Sequence, residues 1–148
     1  MGILNKEEVE VLLHGQLIGR IGCHAEGKTY VVPVSYAYDG RYIYCHSREG
    51  RKISMMRRNS EVCFEVEEMS NMANWRCVII NGKYEELAGE EAKKALRILS
   101  PRIMPSLNDI IARRADPVTA LQGENHENNF AITFRIRVEE KSGRFEKE

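Results

Sequence analysis

The sequence contains no C-x-x-C pair, no apolar run long enough to cross a bilayer, no G-x-G-x-x-G or Walker loop, and no net charge. Each absence removes a class of function. The four cysteines, Cys23, Cys45, Cys63 and Cys77, stand far apart. A zinc site needs a close ligand pair as its nucleus, so no metal is expected. Four free thiols packed as small apolar residues are expected instead, in a reducing cytoplasm. Without a long apolar run, no membrane helix is expected. The start, MGILNKEEVE, lacks a basic segment followed by an apolar stretch, so no secretory signal is expected. Lys6 stands where a myristoylation motif wants Ser or Thr. Lysine plus arginine equal aspartate plus glutamate at 22 each, which argues against a broad nucleic-acid-binding face but leaves room for a local basic pocket. There is no internal repeat.

What is present describes a globular protein. Apolar residues make up 43% of the chain and charged residues 30%. Its 148 residues suffice for one domain with a core, ending in a charged tail from about Glu139 that is expected to be mobile. Asn5 and Glu8 predict a capping box, with Leu4 and Val9 at the staple positions and Gly15 closing the helix in a left-handed conformation. Alternating stretches then predict strands over Gln16–Cys23, Thr29–Tyr38 and Arg41–His46, with a hairpin at Asp39-Gly40. The glycines of the first of these suggest close approach by another chain or a ligand. A helix is predicted from about Glu49 to Arg58. Strands follow over Glu61–Met69 and Trp75–Leu87, the latter bent at Gly82. Helices over Gly89–Leu99 and roughly Ser106–Arg114, a loop, and a strand over Phe130–Val138 complete the order. Hairpin-linked strands beside a few helices point to an antiparallel barrel with peripheral helices.

One junction breaks a local rule. Strand Arg41–His46 runs through Ser47 into a helix whose first turn carries Arg51 and Lys52. Cations there oppose the helix dipole, and the first N–H groups lack partners. Ser47 is placed to cap them or to offer its hydroxyl. A bound phosphate would offset the conflict, and a solvated basic turn also accounts for it. A second irregularity is Pro33, inside an otherwise good strand. Proline donates nothing to a ladder, so this strand lies at an edge or opens there, with Val32, Val34 and Ser35 lining the opening.

The stretch YVVPVSYAYDGRYIYCHSREGRKISMMRRN, with VCFEVEE and WRCVIINGKYEEL after it, resembles the pyridoxamine 5'-phosphate oxidase-related flavin proteins, and within them the nitroimidazole-resistance branch. The combination of V-P-V-x-Y, a strand ending in H-S, and G-R-K at a helix start carries the resemblance, over roughly Gln16 to Leu87. It implies a six-stranded antiparallel split β-barrel that dimerises and holds FMN between subunits. Val32, Pro33, Val34 and Ser35 would bind the flavin ring through their backbone. Tyr44, His46 and Ser47 would lie along the ribityl chain and phosphate, and Arg51 and Lys52 would hold the phosphate. Trp75 and Arg76 would approach the flavin, from this subunit or its partner. The chain is shorter than the vitamin-making oxidases and shows no substrate-phosphate signature around Arg144.

The implied function is an FMN-dependent oxidoreductase, a cytoplasmic homodimer passing electrons from NAD(P)H to a small organic acceptor. Rival readings are a flavin- or haem-holding protein without catalysis, a pyridoxamine 5'-phosphate oxidase-type enzyme, and a deazaflavin user. A flavin brings its own redox chemistry, so no nucleophile–base pair is required. His14, His24 and His126 read as surface residues, and His46 as the one histidine leading to the phosphate. Glu61, Glu65 and Glu67 form a row, as do Arg135 and Arg137, and the two rows are candidates to pair across a sheet.

Overall fold

A computed structural model describes residues 1–103 and 131–148. The helix expected near Ser106–Arg114 and the loop holding His126 lie outside the described residues. The elements run β1 (Gly2–Ile3), α1 (Lys6–Gly15), β2 (Ile18–Ala25), β3 (Lys28–Tyr38), β4 (Tyr42–Arg48), α2 (Arg51–Arg58), β5 (Glu61–Asn71), β6 (Asn74–Leu87), α3 (Gly89–Ile103) and β7 (Ala131–Glu146). All strand pairings are antiparallel, in the order β1-β7-β4-β3-β2-β5-β6, and β6 returns to pair with β7. Strands β2 to β7 therefore close a ring, the six-stranded barrel expected, and β1 adds a short flap to β7.

Helix α1 plugs the ring. Asn5 accepts from the Glu8 amide at 2.9 Å, and the Glu8 carboxylate accepts from the Asn5 amide at 2.7 Å, completing the capping box. Leu4 and Val9 are buried as a staple, and Leu12 and Leu13 enter the core beside Tyr36, Phe64 and Phe134. Gly15 does not take a left-handed conformation. The chain leaves the helix through Gln16 in extended backbone, because other donors reach the terminal carbonyls. The Tyr36 hydroxyl donates to the Leu13 carbonyl at 2.6 Å, and Arg102 donates to that of Gln16 at 2.5 Å. A second layer forms where Tyr44, Ala37 and Leu87 meet Ala95, Leu96 and Leu99 of α3.

The close-packed glycines have intramolecular causes. A Cβ on Gly19 would stand 2.2 Å from the Phe64 ring, so the approach expected from another chain or ligand is made by β5. A register shift falls between Asn81 and Gly82, the bend expected, and a Cβ on Gly82 would stand 2.3 Å from the Arg137 carbonyl.

The charged tail is not a mobile end. Strand β7 continues to Glu146, pairs along β6, and carries β1 on its other side. Lys141 bonds Glu10 and lies 3.2 Å from the Tyr38 hydroxyl, and Glu146 meets the Met1 amine at 3.2 Å. Arg144 is exposed, while Gly143 on the opposite face packs on Leu4 and Val9. The glutamate and arginine rows do not pair with each other either. Strand β5 lies between β2 and β6, so Glu65 and Glu67 meet Arg20 at 3.4 and 3.2 Å, and Glu61 meets Lys83. Arg135 and Arg137 on β7 both reach Glu85 of β6.

Candidate functional site

The ring is split between β3 and β4. These strands pair only through Tyr36–Cys45, Ala37–Tyr44 and Tyr38–Ile43. Before Tyr36, β3 pairs with β2 alone, and after Cys45, β4 pairs with β7 alone. The Tyr36 amide donates to the Leu17 carbonyl at 3.1 Å, across β2. Backbone groups of alternate residues point to opposite sides of a strand. Val32 and Val34 therefore also direct their amides to β2, Val31 and Ser35 direct theirs to the open edge, and the nitrogen of Pro33 falls on that same edge. The donor that Pro33 lacks falls on the unpaired side, which explains its tolerance inside the strand. Of the four strand residues expected to offer backbone groups, Pro33 and Ser35 do so at the edge. Val31, missed from sequence, joins them. Its signal was the parity set by Pro33.

Helix α2 begins at the mouth of this split. Its N-cap is Gly50, in extended backbone with no capping side chain, and its first turn carries no acidic residue. Ser47 does not cap the helix, because its hydroxyl donates to the Arg48 carbonyl at 3.0 Å. The partnerless N–H groups of the first turn thus face outward with Arg51 and Lys52 beside them. Arg51 lies over the Tyr30 ring, 5.5 Å from its centroid. Lys52 is half-buried, close enough for its charge to act on Cys23 and Cys45. Burial raises both thiols, fully buried Cys45 far above the ordinary range, and the Lys52 charge acts the other way on each. The two cations accordingly flank the split, one against β3 and one toward the thiols of β2 and β4.

His46 is half-buried opposite Thr133 of β7, on the β4 segment that β3 has left. Tyr44 is set differently. It is buried under α3, and its hydroxyl donates to the Asp39 carboxylate at 2.9 Å. Burial and then Asp39 push its pKa up to about 12. Trp75 and Arg76 stand apart within one chain. They line another cavity, of about 570 Å³, with Leu4, Glu8, Glu68 and Phe145, and Arg76 is held by Glu68 at 2.6 Å. Val31, Pro33 and Ser35 thus share the open β3 edge, Arg51 and Lys52 the first turn of α2, with Arg51 over Tyr30 of β3 linking the two, and Trp75 and Arg76 lie at a different cavity.

An open strand edge beside an uncapped, basic helix start suits a planar ring carrying a phosphate. The pyridoxamine 5'-phosphate oxidase family model matches residues 5–145. The chain belongs to that family. A FAD-binding protein from Mesorhizobium loti is 30% identical, with 97% of this chain and 96% of that one covered and a TM-score of 0.71. A candidate 5-nitroimidazole antibiotic resistance protein from Bacteroides thetaiotaomicron is 21% identical over 96% of this chain and 85% of that one, with a TM-score of 0.72. An uncharacterized protein of Rhizobium meliloti is 32% identical over 85 residues, 57% of this chain and just over half (56%) of the relative's length. The fold is the split barrel of this family. Among the described residues, no helix is long and apolar enough to cross a membrane.

Proposed function

We propose that this family member is a flavin-dependent oxidoreductase, working as a homodimer and passing electrons from NAD(P)H to a small organic acceptor such as a nitroaromatic ring. The carrying observation is the juxtaposition of the unpaired β3 edge with the uncapped start of α2. The residues fit FMN. Val31, Pro33 and Ser35 would hold the edge of the flavin ring, and the first-turn amides of α2 with Arg51 and Lys52 would hold its phosphate. His46 would stand beside the ribityl chain. When bound, the flavin supplies the hydride and electron chemistry. The chain's own task is to orient the ring, neutralise the phosphate dianion and leave one ring face open.

Two observations support the proposed second subunit. The outer face of β2, β3 and β6 exposes Ile18 at 60%, Val31 at 62% and Ile79 at 41%. Exposed apolar side chains on an uncovered sheet face suit an interface. Trp75 and Arg76, remote from the split in their own chain, would then reach the partner's cofactor. The name of the Mesorhizobium relative widens the cofactor choice to FAD.

The absorption spectrum of the purified protein tests the cofactor class, because flavin and haem absorb at different wavelengths. Anaerobic addition of NADH or NADPH then separates a reductase, whose visible band bleaches, from a passive carrier. The double variant Arg51→Ala/Lys52→Ala should release FMN while keeping its fold. The loss expected is on the order of 3 kcal/mol, from about 1.5 per charge-assisted hydrogen bond. Unchanged affinity in that variant would remove the phosphate from α2.

A further inference from the structure

The outer sheet face that exposes Ile18, Val31 and Ile79 also carries an excess of negative charge. Directly paired residues of neighbouring strands share a face, so the register sets Arg20 of β2, Glu65 of β5 and Ile79 of β6 in one row. Glu67 lies on the same face, two residues along β5. One nitrogen of Arg20 meets both carboxylates, Glu65 at 3.4 Å and Glu67 at 3.2 Å. Among the described residues, neither carboxylate has a second ion-pair partner.

The two glutamates are not equivalent. The Glu65 side chain is 25% exposed, against 42% for Glu67. Burial, and then the Glu67 charge, raise the Glu65 carboxyl above its usual value, although Arg20 opposes both. The surrounding elements supply no further cation to it. Cys63 on β5 and Cys77 on β6 are thiols raised by burial, and Pro33 and Ser35 of β3 are uncharged. Arg144 of β7 stands opposite Cys77, with β6 between it and Glu65. Lys83 is held by Glu61 at 3.0 Å, and His24 of β2 bonds Thr29 at 2.9 Å.

A second copy docked on this face doubles the imbalance. A two-fold contact uses the same patch on both subunits, so two carboxylates and one guanidinium per chain become twice that number in one contact. Taking water from a carboxylate that only shares a partner is unfavourable, and a proton on Glu65 removes the excess. The dimer then binds that proton more tightly than the monomer does, and by linkage association strengthens as pH falls.

We propose that Glu65 is a proton-controlled latch on subunit association, taking up a proton as the face is covered and loosening the dimer when it is ionised. This rests on the homodimer proposed above and adds its regulation. Arg20 holds the two carboxylates together, and Ile79 supplies the apolar wall that closes over Glu65.

The test is sedimentation velocity of the full chain over a concentration series at about pH 5.5 and about pH 8, on either side of a raised carboxylate pKa. The wild-type dimer is expected to be about tenfold weaker at the higher pH. Glu65→Gln keeps the shape without the charge, and it should hold the tighter association at both pH values. That gain at the higher pH is one that misfolding cannot mimic. A wild-type dimer of equal strength at both pH values, a pH response that survives in Glu65→Gln (as it would if His24 carried it), or a variant no tighter than wild type at the higher pH would overturn the latch and leave the homodimer standing. A wild type that is monomeric at both pH values would overturn both.

Discussion

Arg57, in the last turn of α2, meets the Glu49 carboxylate at 2.6 Å, although Glu49 lies before the helix begins. The same guanidinium donates to both oxygens of Glu86 on β6, at 2.8 and 3.2 Å, and the Tyr84 hydroxyl donates to Glu86 at 2.6 Å. One side chain thereby fixes α2 to the barrel wall and draws the nearest carboxylate away from the helix start. Arg57→Ala should release Glu49 toward the cradle of Arg51 and Lys52 and weaken FMN several-fold, more so at low salt. Glu49→Gln in the same chain should restore most of the affinity. Calorimetric titration of the four proteins checks the cycle.

Asp39 gives the fold an acid limit. Its partial desolvation alone would raise its pKa, but hydrogen bonds from the Tyr42 and Arg41 amides and the Tyr44 hydroxyl outweigh this and hold it below the ordinary value. The folded state therefore favours the carboxylate. That stabilisation is complete above the unfolded pKa of about 3.9 and is lost as pH falls through the lower folded value. Urea unfolding between pH 6 and pH 3, values of about the range where carboxylates titrate, should show a steeper loss for wild type than for Asp39→Asn.

Gly82→Ala should destabilise the protein by about 1–3 kcal/mol. The added methyl would meet the Arg137 carbonyl, a backbone atom held in the β6–β7 ladder, rather than a side chain able to turn aside. A fall in the thermal midpoint checks this, and Gly15→Ala, with open space around its Cβ position, serves as the control.

Ile79→Lys should dissociate the proposed homodimer, read by sedimentation at micromolar concentration. Ile79 projects from β6 opposite Glu65, on the uncovered sheet face. Flavin retention should fall with it if Trp75 and Arg76 act across the interface.

Local chemistry made much of this architecture legible. The Asn5–Glu8 box, the Asp39-Gly40 reversal and the bend at Gly82 are encoded within a few residues, and all three form. So is the opening at Pro33, because a missing amide is a property of one residue. What failed depended on strand order. The glutamates of β5 were matched with the arginines of β7, yet the ring sets β6 between them. Lys141, Gly143 and Phe145 read as a solvated tail because charge outweighs apolar content there, and only β6 and β1 on either side turn it into a strand. At the site, the basic helix start was visible as a broken rule. Tyr30 under Arg51, and Glu49 under Arg57, were not, because these contacts join elements by tertiary packing.

Pro33 leaves the free rim of β3 with an uneven pattern: Val31 and Ser35 each present a donor and an acceptor, and between them stands an acceptor alone. Such a rim works as a stencil. A flat guest lying along it must turn an N–H toward the proline and lone pairs toward the flanking amides, and one with the reverse order meets oxygen against oxygen. If the flavin proposed above lies along this rim, its selection among heterocycles would rest on one imino acid, and replacing that residue by alanine would add a donor and loosen the choice.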